Sequence, residues 1–281
     1  QTAPSRRQRH ARRRGRARGG ARDAELLGLL VAMTHIYFAV SGGYGNVQRA
    51  LDAWDWAARP LNLLIAYPYL RKFAQDCQRW SPARIMLDSG AFSAWQSGAS
   101  IDLDALVRAS KKPIWSESVS LDVIGSWQGS MQNAVAMRAL GSPAMPVFHV
   151  GDPWELLDFY CKHWPKVGLG GMVGRDRIEI QRWLEQIFAR KWPHRFHGFG
   201  KTDEPITMAF PFHSCDSTSW TVPVSFASSI KIRGAKVGKV TGAPDRLLQP
   251  TLRYSIESFL ELETKLRARW RRDLAPLGDW P

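Results

Sequence analysis

Apolar and polar positions fall into two kinds of block along this chain. From Thr34 onward, short runs dominated by apolar residues are separated by longer stretches with apolar residues at three- and four-residue spacing. The short runs predict eight strands: Ile36–Ser41, Leu63–Tyr67, Arg84–Asp88, Ile114–Asp122, Met145–Val150, Val167–Val173, Arg195–Phe199 and Met208–Asp216. Near-continuous apolar character suits parallel strands covered on both faces. The longer stretches predict helices over 46–58, 68–80, 101–111, 130–140, 154–164 and 177–192. In the last of these, Ile180, Trp183, Leu184 and Ile187 recur at helical spacing. A further helix, over about 252–272, carries Leu252, Ile256, Phe259, Leu260 and Leu262 on its apolar side. The link from Lys201 to Ile206 is too short for a full helix.

Strands alternating with helices predict an α/β fold, specifically a (β/α)8 TIM-like barrel with a C-terminal helix. An open doubly wound sheet is the main rival. No internal repeat or second domain is visible, so 33–281 reads as one barrel domain. In a barrel the C-terminal strand ends open on one face, and reactive residues collect there. Asp88, Asp122, His149, Gly171 and Asp216 fall at or just past those ends.

Composition changes this picture at one end. Residues 1–32 hold nine Arg against Asp23 and Glu25, supplying +7 of the net +14 and leaving +7 on the body. Such an Arg/Gly/Ala segment cannot bury a core and is expected to be disordered. Met33 stands just before the first strand, so the segment reads either as an upstream, non-native extension or as an arm for phosphates. Leu26 to Ala32 faintly imitates a signal peptide, but Asp23 and Glu25 interrupt it. No stretch approaches the roughly 18–20 apolar residues of a spanning helix, so no membrane partner is expected. Cys77, Cys161 and Cys215 are few and scattered, which fits a reducing compartment and a cytoplasmic location.

The candidate chemistry rests on two acidic segments, Leu87-Asp88-Ser89-Gly90-Ala91-Phe92-Ser93 and Phe212-His213-Ser214-Cys215-Asp216-Ser217. Two carboxylates at neighbouring strand ends can divide a displacement at a sugar carbon. One attacks C1′ and the other moves the proton. Asp216 is the candidate nucleophile. Read blandly, Asp88 and Asp216 cap turns. Asp122 suits the N1–H and amine edge of a guanine-like ring, or else caps a helix. His149 either touches a substrate or is a wall residue. Gly168-Leu169-Gly170-Gly171-Met172-Val173-Gly174 lets backbone approach a ligand, or turns a tight corner. Phe92 can stack on a flat ring, although alone it reads as core.

His213 with Cys215, and Cys161 with His163, lack the partners of a structural zinc site. No metal and no organic cofactor is therefore expected. Lys231, Arg233, Lys236 and Lys239 form a candidate nucleic-acid surface. Lys265, Arg267, Arg269, Arg271 and Arg272 read by default as a solvated helix face.

The order of these segments resembles the tRNA-guanine transglycosylase superfamily, over roughly residues 36–220. Within it, the chain is most similar to the phage and bacterial branch that places 7-deazaguanines into DNA. Asp88-Ser89-Gly90-Ala91-Phe92-Ser93 is similar to the family's Asp-Ser-Gly-Gly-Phe-Gln. The stretch from Gly198 to Asp216 is similar to its Gly-Val-Gly…Phe-Asp-Cys. The resemblance implies Asp216 as nucleophile and Asp88 as acid/base. It also implies base binding by Ser89, Phe92, Asp122, Gly170, Gly171 and Met172. His149 stands where the family has Gln, and His197 where an apolar side chain closes the base pocket. The family's zinc motif of three Cys and a His is missing, which favours the DNA branch.

The implied reaction replaces guanine in DNA with a 7-deazaguanine through a covalent Asp-glycosyl intermediate. Partner proteins that open the duplex fit this reading, as does the host cytoplasm for a phage-encoded chain. The alternatives are exchange in tRNA, a glycoside-type hydrolase on the same carboxylates, and a non-catalytic nucleic-acid-binding barrel.

Overall fold

The structure is a computed structural model that describes residues 34–40, 44–76, 79–221, 229–233, 236–240 and 248–273. The Arg-rich segment 1–32 and Cys77 lie outside the described residues, as do the side chains of Lys231, Arg233, Lys236 and Lys239.

Eight parallel strands form one sheet in the order β4-β3-β2-β1-β8-β7-β6-β5. They are β1 His35–Val40, β2 Asn62–Ala66, β3 Arg84–Asp88, β4 Glu117–Ser118, β5 Val147–His149, β6 Lys166–Gly170, β7 Arg195–Gly198 and β8 Ser214–Ser217. A parallel bridge between Val119 and Met145 joins the two ends of that order. The sheet therefore curls round on itself as a (β/α)8 barrel.

The period of two along the strands sorts their side chains onto two faces. Tyr37, Ala39, Leu64, Met86, Val119, Met145 and Val147 pack together inside the barrel. The intervening Ile36, Phe38, Val40, Leu63 and Ile65 pack outward against helices. Those helices are α1 Tyr44–Asp52, α2 Leu70–Asp76, α3 Ala91–Ser97, α4 Leu103–Ser110, α5 Trp127–Ala139, α6 Trp154–His163, α7 Arg177–Lys191, α8 Glu204–Ala209 and α9 Leu248–Asp273. Phe148, Val167, Leu169 and Phe196 meet Leu157 and Tyr160 of α6 and Ile180, Leu184 and Ile187 of α7. In α9, Leu252, Ile256, Phe259, Leu262 and Leu266 make a fully buried stripe against β1 and α1. Each such side chain contributes roughly 1.5–3 kcal/mol. Leu260, expected on this stripe, is only partly buried.

Two expectations are corrected. Strand four was expected over Ile114–Asp122, but Trp115 closes the turn after α4, its N–H bonding Lys112 O and its indole Nε1 bonding Ala109 O. Past Ser120 the chain leaves the sheet to bond α5, with Val123 N–H donating to Ser130 Oγ. Strand eight begins at Ser214 rather than Met208, because Glu204-Pro205 start α8. The link after strand seven thus holds a helix of only six residues, in keeping with its length. After β8 an antiparallel hairpin, β9 Ser229–Arg233 with β10 Lys236–Val240, precedes α9. Among the described residues no helix is long and apolar enough to cross a membrane.

Candidate active site

Asp88 is the last residue of β3, and Gly90 turns the chain at once into α3. Gly90 has φ +73°, and its N–H donates to Asp88 Oδ2 at 2.9 Å. Ser89 is buried, and its Oγ accepts from Ala91 N–H. Burial pushes the Asp88 carboxyl up to about 7. The Gly90 bond opposes that rise, while the charges of Asp216 and Asp122 add to it. Asp88 thus lies within reach of the charges of both other carboxylates.

Asp216 lies on β8 and is buried. Its Oδ1 takes two bonds, from His197 Nε2 at 3.2 Å and from Gly200 N–H at 3.0 Å. Among the described residues nothing bonds Oδ2. His197 on β7 is wholly buried and edge-on to Phe199, with ring centroids 4.4 Å apart. It was expected to close the base pocket, but it lies behind Asp216 with no exposed surface for a base. Burial lowers its pKa, against the pull of Asp216.

Asp122 sits in the loop after β4, two residues past Ser120, whose N–H bonds Met145 O. Its Oδ2 is 3.4 Å from His149 Nε2, and its Oδ1 is buried without a hydrogen-bond partner. Burial raises its pKa against the pull of His149. Asp152 also holds His149, 3.6 Å from Nδ1 and accepting from the backbone N–H at 2.8 Å. Burial alone would lower the His149 pKa. Asp122 and Asp152 outweigh it and hold the imidazole up to about 10.

Gly170 lies directly under that ring, since a Cβ there would come 2.6 Å from His149 Cδ2. Gly171 follows with φ +73°. Met172 turns its side chain into the core between sheet and helices, so that side chain is not available to a ligand. Phe92, which alone reads as core, is 60% exposed on α3, 6.0 Å from the equally exposed Trp95 ring.

Four residues of this site were not anticipated. Lys166 on β6 donates to Ser214 Oγ at 2.7 Å and pairs with Glu117, which also accepts from Tyr37 Oη at 3.1 Å. Burial lowers Lys166 against the pull of Glu117. Burial alone would raise Glu117, but Lys166 outweighs it and holds the carboxyl down. The signal available was parity: Ser214 and Asp216 are two apart on one strand, hence on one face.

Among the described residues, no three His, Cys, Asp or Glu side chains gather into a metal-binding group. Cys215 packs outward in the core, away from Asp216's face. Lys265 pairs with Glu204, Arg267 with Glu263, and Arg269 reaches Met208 O. These cations tie α9 to itself and to α8.

Fold and site together define a barrel with a carboxylate cluster at its C-terminal rim. No protein-family model matches the chain, and no curated protein matches it. Among solved structures, a chain described as a fructose-1,6-biphosphate aldolase from Coccidioides immitis aligns at TM-score 0.49 and 13% identity, over 85% of this chain and 94% of its own. A mutant tryptophan synthase alpha-subunit from Pyrococcus furiosus aligns at TM-score 0.49 and 11% identity, over 81% and 98%. The YdjI aldolase of Escherichia coli K12 aligns at TM-score 0.39 and 12% identity, over 86% and 94%. None of the three is described as a transglycosylase. All three scores lie below 0.5, so these likenesses do not bear on what the chain does.

Proposed function

We propose that this barrel exchanges a nucleobase at C1′ of a polynucleotide, replacing guanine in DNA with a 7-deazaguanine. One observation carries the reading. Asp216 is held by one oxygen and free at the other, and its charge reaches Asp88, whose carboxyl keeps its proton to about 7. A carboxylate nucleophile beside a carboxylic acid is the pairing that displacement at a glycosidic carbon requires.

In the first half, Asp216 Oδ2 bonds to C1′, the C1′–N9 bond breaks, and guanine leaves with the Asp88 proton. In the second half, the Asp88 carboxylate takes the N9 proton of the entering base. That nitrogen then bonds to C1′ and releases Asp216. Two inversions restore the starting configuration.

Asp122, whose side chain stays 13% exposed beside His149, offers its carboxylate to the N1–H and amine edge of guanine. Gly170 makes room for the His149 ring that flanks Asp122, and Phe92 offers a free face for stacking. The target base leaves the stack at a cost of roughly a few kcal/mol in a duplex.

The test is release of labelled guanine from DNA and, in parallel, from tRNA, with 7-cyano-7-deazaguanine supplied. Release from DNA alone, dependent on the added base and lost in Asp216→Asn, is expected. Release from tRNA alone would reassign the substrate. Abasic sites would mean hydrolysis, and wild-type exchange by Asp216→Asn would refute the mechanism.

A further inference from the structure

Behind Asp216 the barrel interior holds an unbroken line of hydrogen bonds that the proposed reaction does not use directly. It runs from Tyr37 to Glu117, Lys166, Ser214, His197 and Asp216. Ser214 and His197 are wholly buried, Asp216 is 6% exposed and Lys166 is 8% exposed. Six polar side chains joined end to end inside a barrel cost desolvation that apolar residues would avoid.

The donors and acceptors fix the proton positions. A lysine ammonium only donates, so Ser214 Oγ accepts from Lys166 at 2.7 Å. His197 Nδ1 lies 2.7 Å from the same oxygen. Ser214 has one hydrogen, and among the described residues its Oγ has no third partner. That hydrogen therefore goes to Nδ1, and the ring proton sits on Nε2. The far end gives the same answer independently. An ionised Asp216 only accepts, so the imidazole nitrogen 3.2 Å from Oδ1 must donate. Both ends of the line place a proton on Nε2, and the Ser214 end leaves Nδ1 without one, so the ring is neutral.

We infer that Lys166, Ser214 and His197 are positioning residues that lock His197 in its Nε2–H tautomer and so hold Asp216 by Oδ1, leaving Oδ2 to react. The inference rests on Asp216 being the nucleophile of the proposed exchange. Burial depresses the His197 pKa, which agrees with a neutral ring. Gly200 N–H supplies the second bond to Oδ1 from the following loop, so the carboxylate is fixed from two directions. The ammonium is itself anchored by Glu117, so the positive end of the line cannot swing away from Ser214.

The test has an arm without turnover and an arm with it, both on the full chain. Nitrogen-15 histidine NMR is expected to show His197 neutral, with the proton on Nε2. A proton on Nδ1, or an imidazolium at pH 7, would overturn the relay. Ser214→Ala removes the donor to Nδ1 and is expected to shift that nitrogen's resonance. The same variant is expected to lower kcat for base exchange about ten- to a hundredfold, with KM for the entering base unchanged. Wild-type kcat in a folded Ser214→Ala protein would overturn the positioning role.

Should that variant not fold, His197→Gln and His197→Asn make the comparison. The glutamine amide reaches Asp216 with a donor in place of Nε2 and is expected to keep more activity than the shorter asparagine. Equal activities would overturn the inference. A wild-type protein that exchanges no base overturns the base-exchange reading, and the tautomer then decides the relay by itself.

Discussion

Asp88 and Asp216 are the same residue type near the ends of two strands of one sheet, and their surroundings give them different tasks. Asp216 receives a ring N–H and a backbone N–H on one oxygen, while Asp88 takes the Gly90 N–H and feels two other carboxylates. The Asp88 carboxyl moves from 3.8 to about 7 on folding, so the folded protein binds that proton more tightly. The contribution to stability is fully present below pH 3.8 and is lost as pH rises through about 7. The shift sets a ceiling of roughly 4 kcal/mol on the loss. Asp88→Asn is neutral at every pH and keeps an oxygen for Gly90. It is expected to exceed the wild type by about 2–4 kcal/mol at pH 8 and to lie within about 1 kcal/mol of it at pH 4. Urea unfolding at the two values checks this, and equal stabilities at pH 8 would show that Asp88 ionises without penalty. The kcat/KM for guanine release by the wild type should also fall above about pH 7, as the acid of the first half-reaction loses its proton.

The elements best legible in the sequence are those whose burial follows a simple period. Strand β3 matches its forecast over Arg84–Asp88, and α7 shows its stripe because Ile180, Trp183, Leu184 and Ile187 are all buried. Helix α3 left no such mark, since Ala94 is its one buried residue and Phe92 and Trp95 face outward. Its signature was the pair Gly90 and Gly98, both left-handed, at its two ends. The β9–β10 hairpin was hidden because its lysines and arginine read as a charge cluster, although Ile230 and Ile232 alternate with Lys231 and Arg233 in β9. The line behind Asp216 was hidden for another reason. Lys166 and Glu117 stand in unrelated segments 49 positions apart, and only barrel closure brings them together. Gly90 tests the local part of this account. A Cβ there would lie 2.2 Å from Pro68 Cδ, and φ is +73°. Gly90→Ala is therefore expected to cost about 2–4 kcal/mol from backbone strain and overpacking together. An unchanged urea midpoint would mean that the turn relaxes freely and does not fix Asp88.

At the scale of the whole barrel, the ring is thinnest where β4 meets β5. Neighbours β2 and β3 share five residue pairs, whereas Val119–Met145 is one bridge. Two backbone bonds hold it, Met145 N–H to Ser118 O at 2.8 Å and Ser120 N–H to Met145 O at 2.9 Å. Above the bridge, Asp122 from the β4 side meets His149 from the end of β5 at 3.4 Å. The ion pair thus spans the seam at the rim where the proposed base reader sits, and it acts as a latch. Its removal leaves the two backbone bonds and the packing of Val119 against Met145 and Val147 to hold the closure. His149→Gln is expected to speed amide exchange at Ser120 and Met145 by about tenfold or more, while amides of the β1–β2 ladder keep their rates. The wild type should loosen in the same place as pH rises through about 10, where His149 loses its charge. Amide-resolved hydrogen exchange decides this. Unchanged rates at Ser120 and Met145 would mean that the strand bonds and apolar packing close the barrel without the ion pair, whereas selective loosening would tie closure to the residues proposed to face the base.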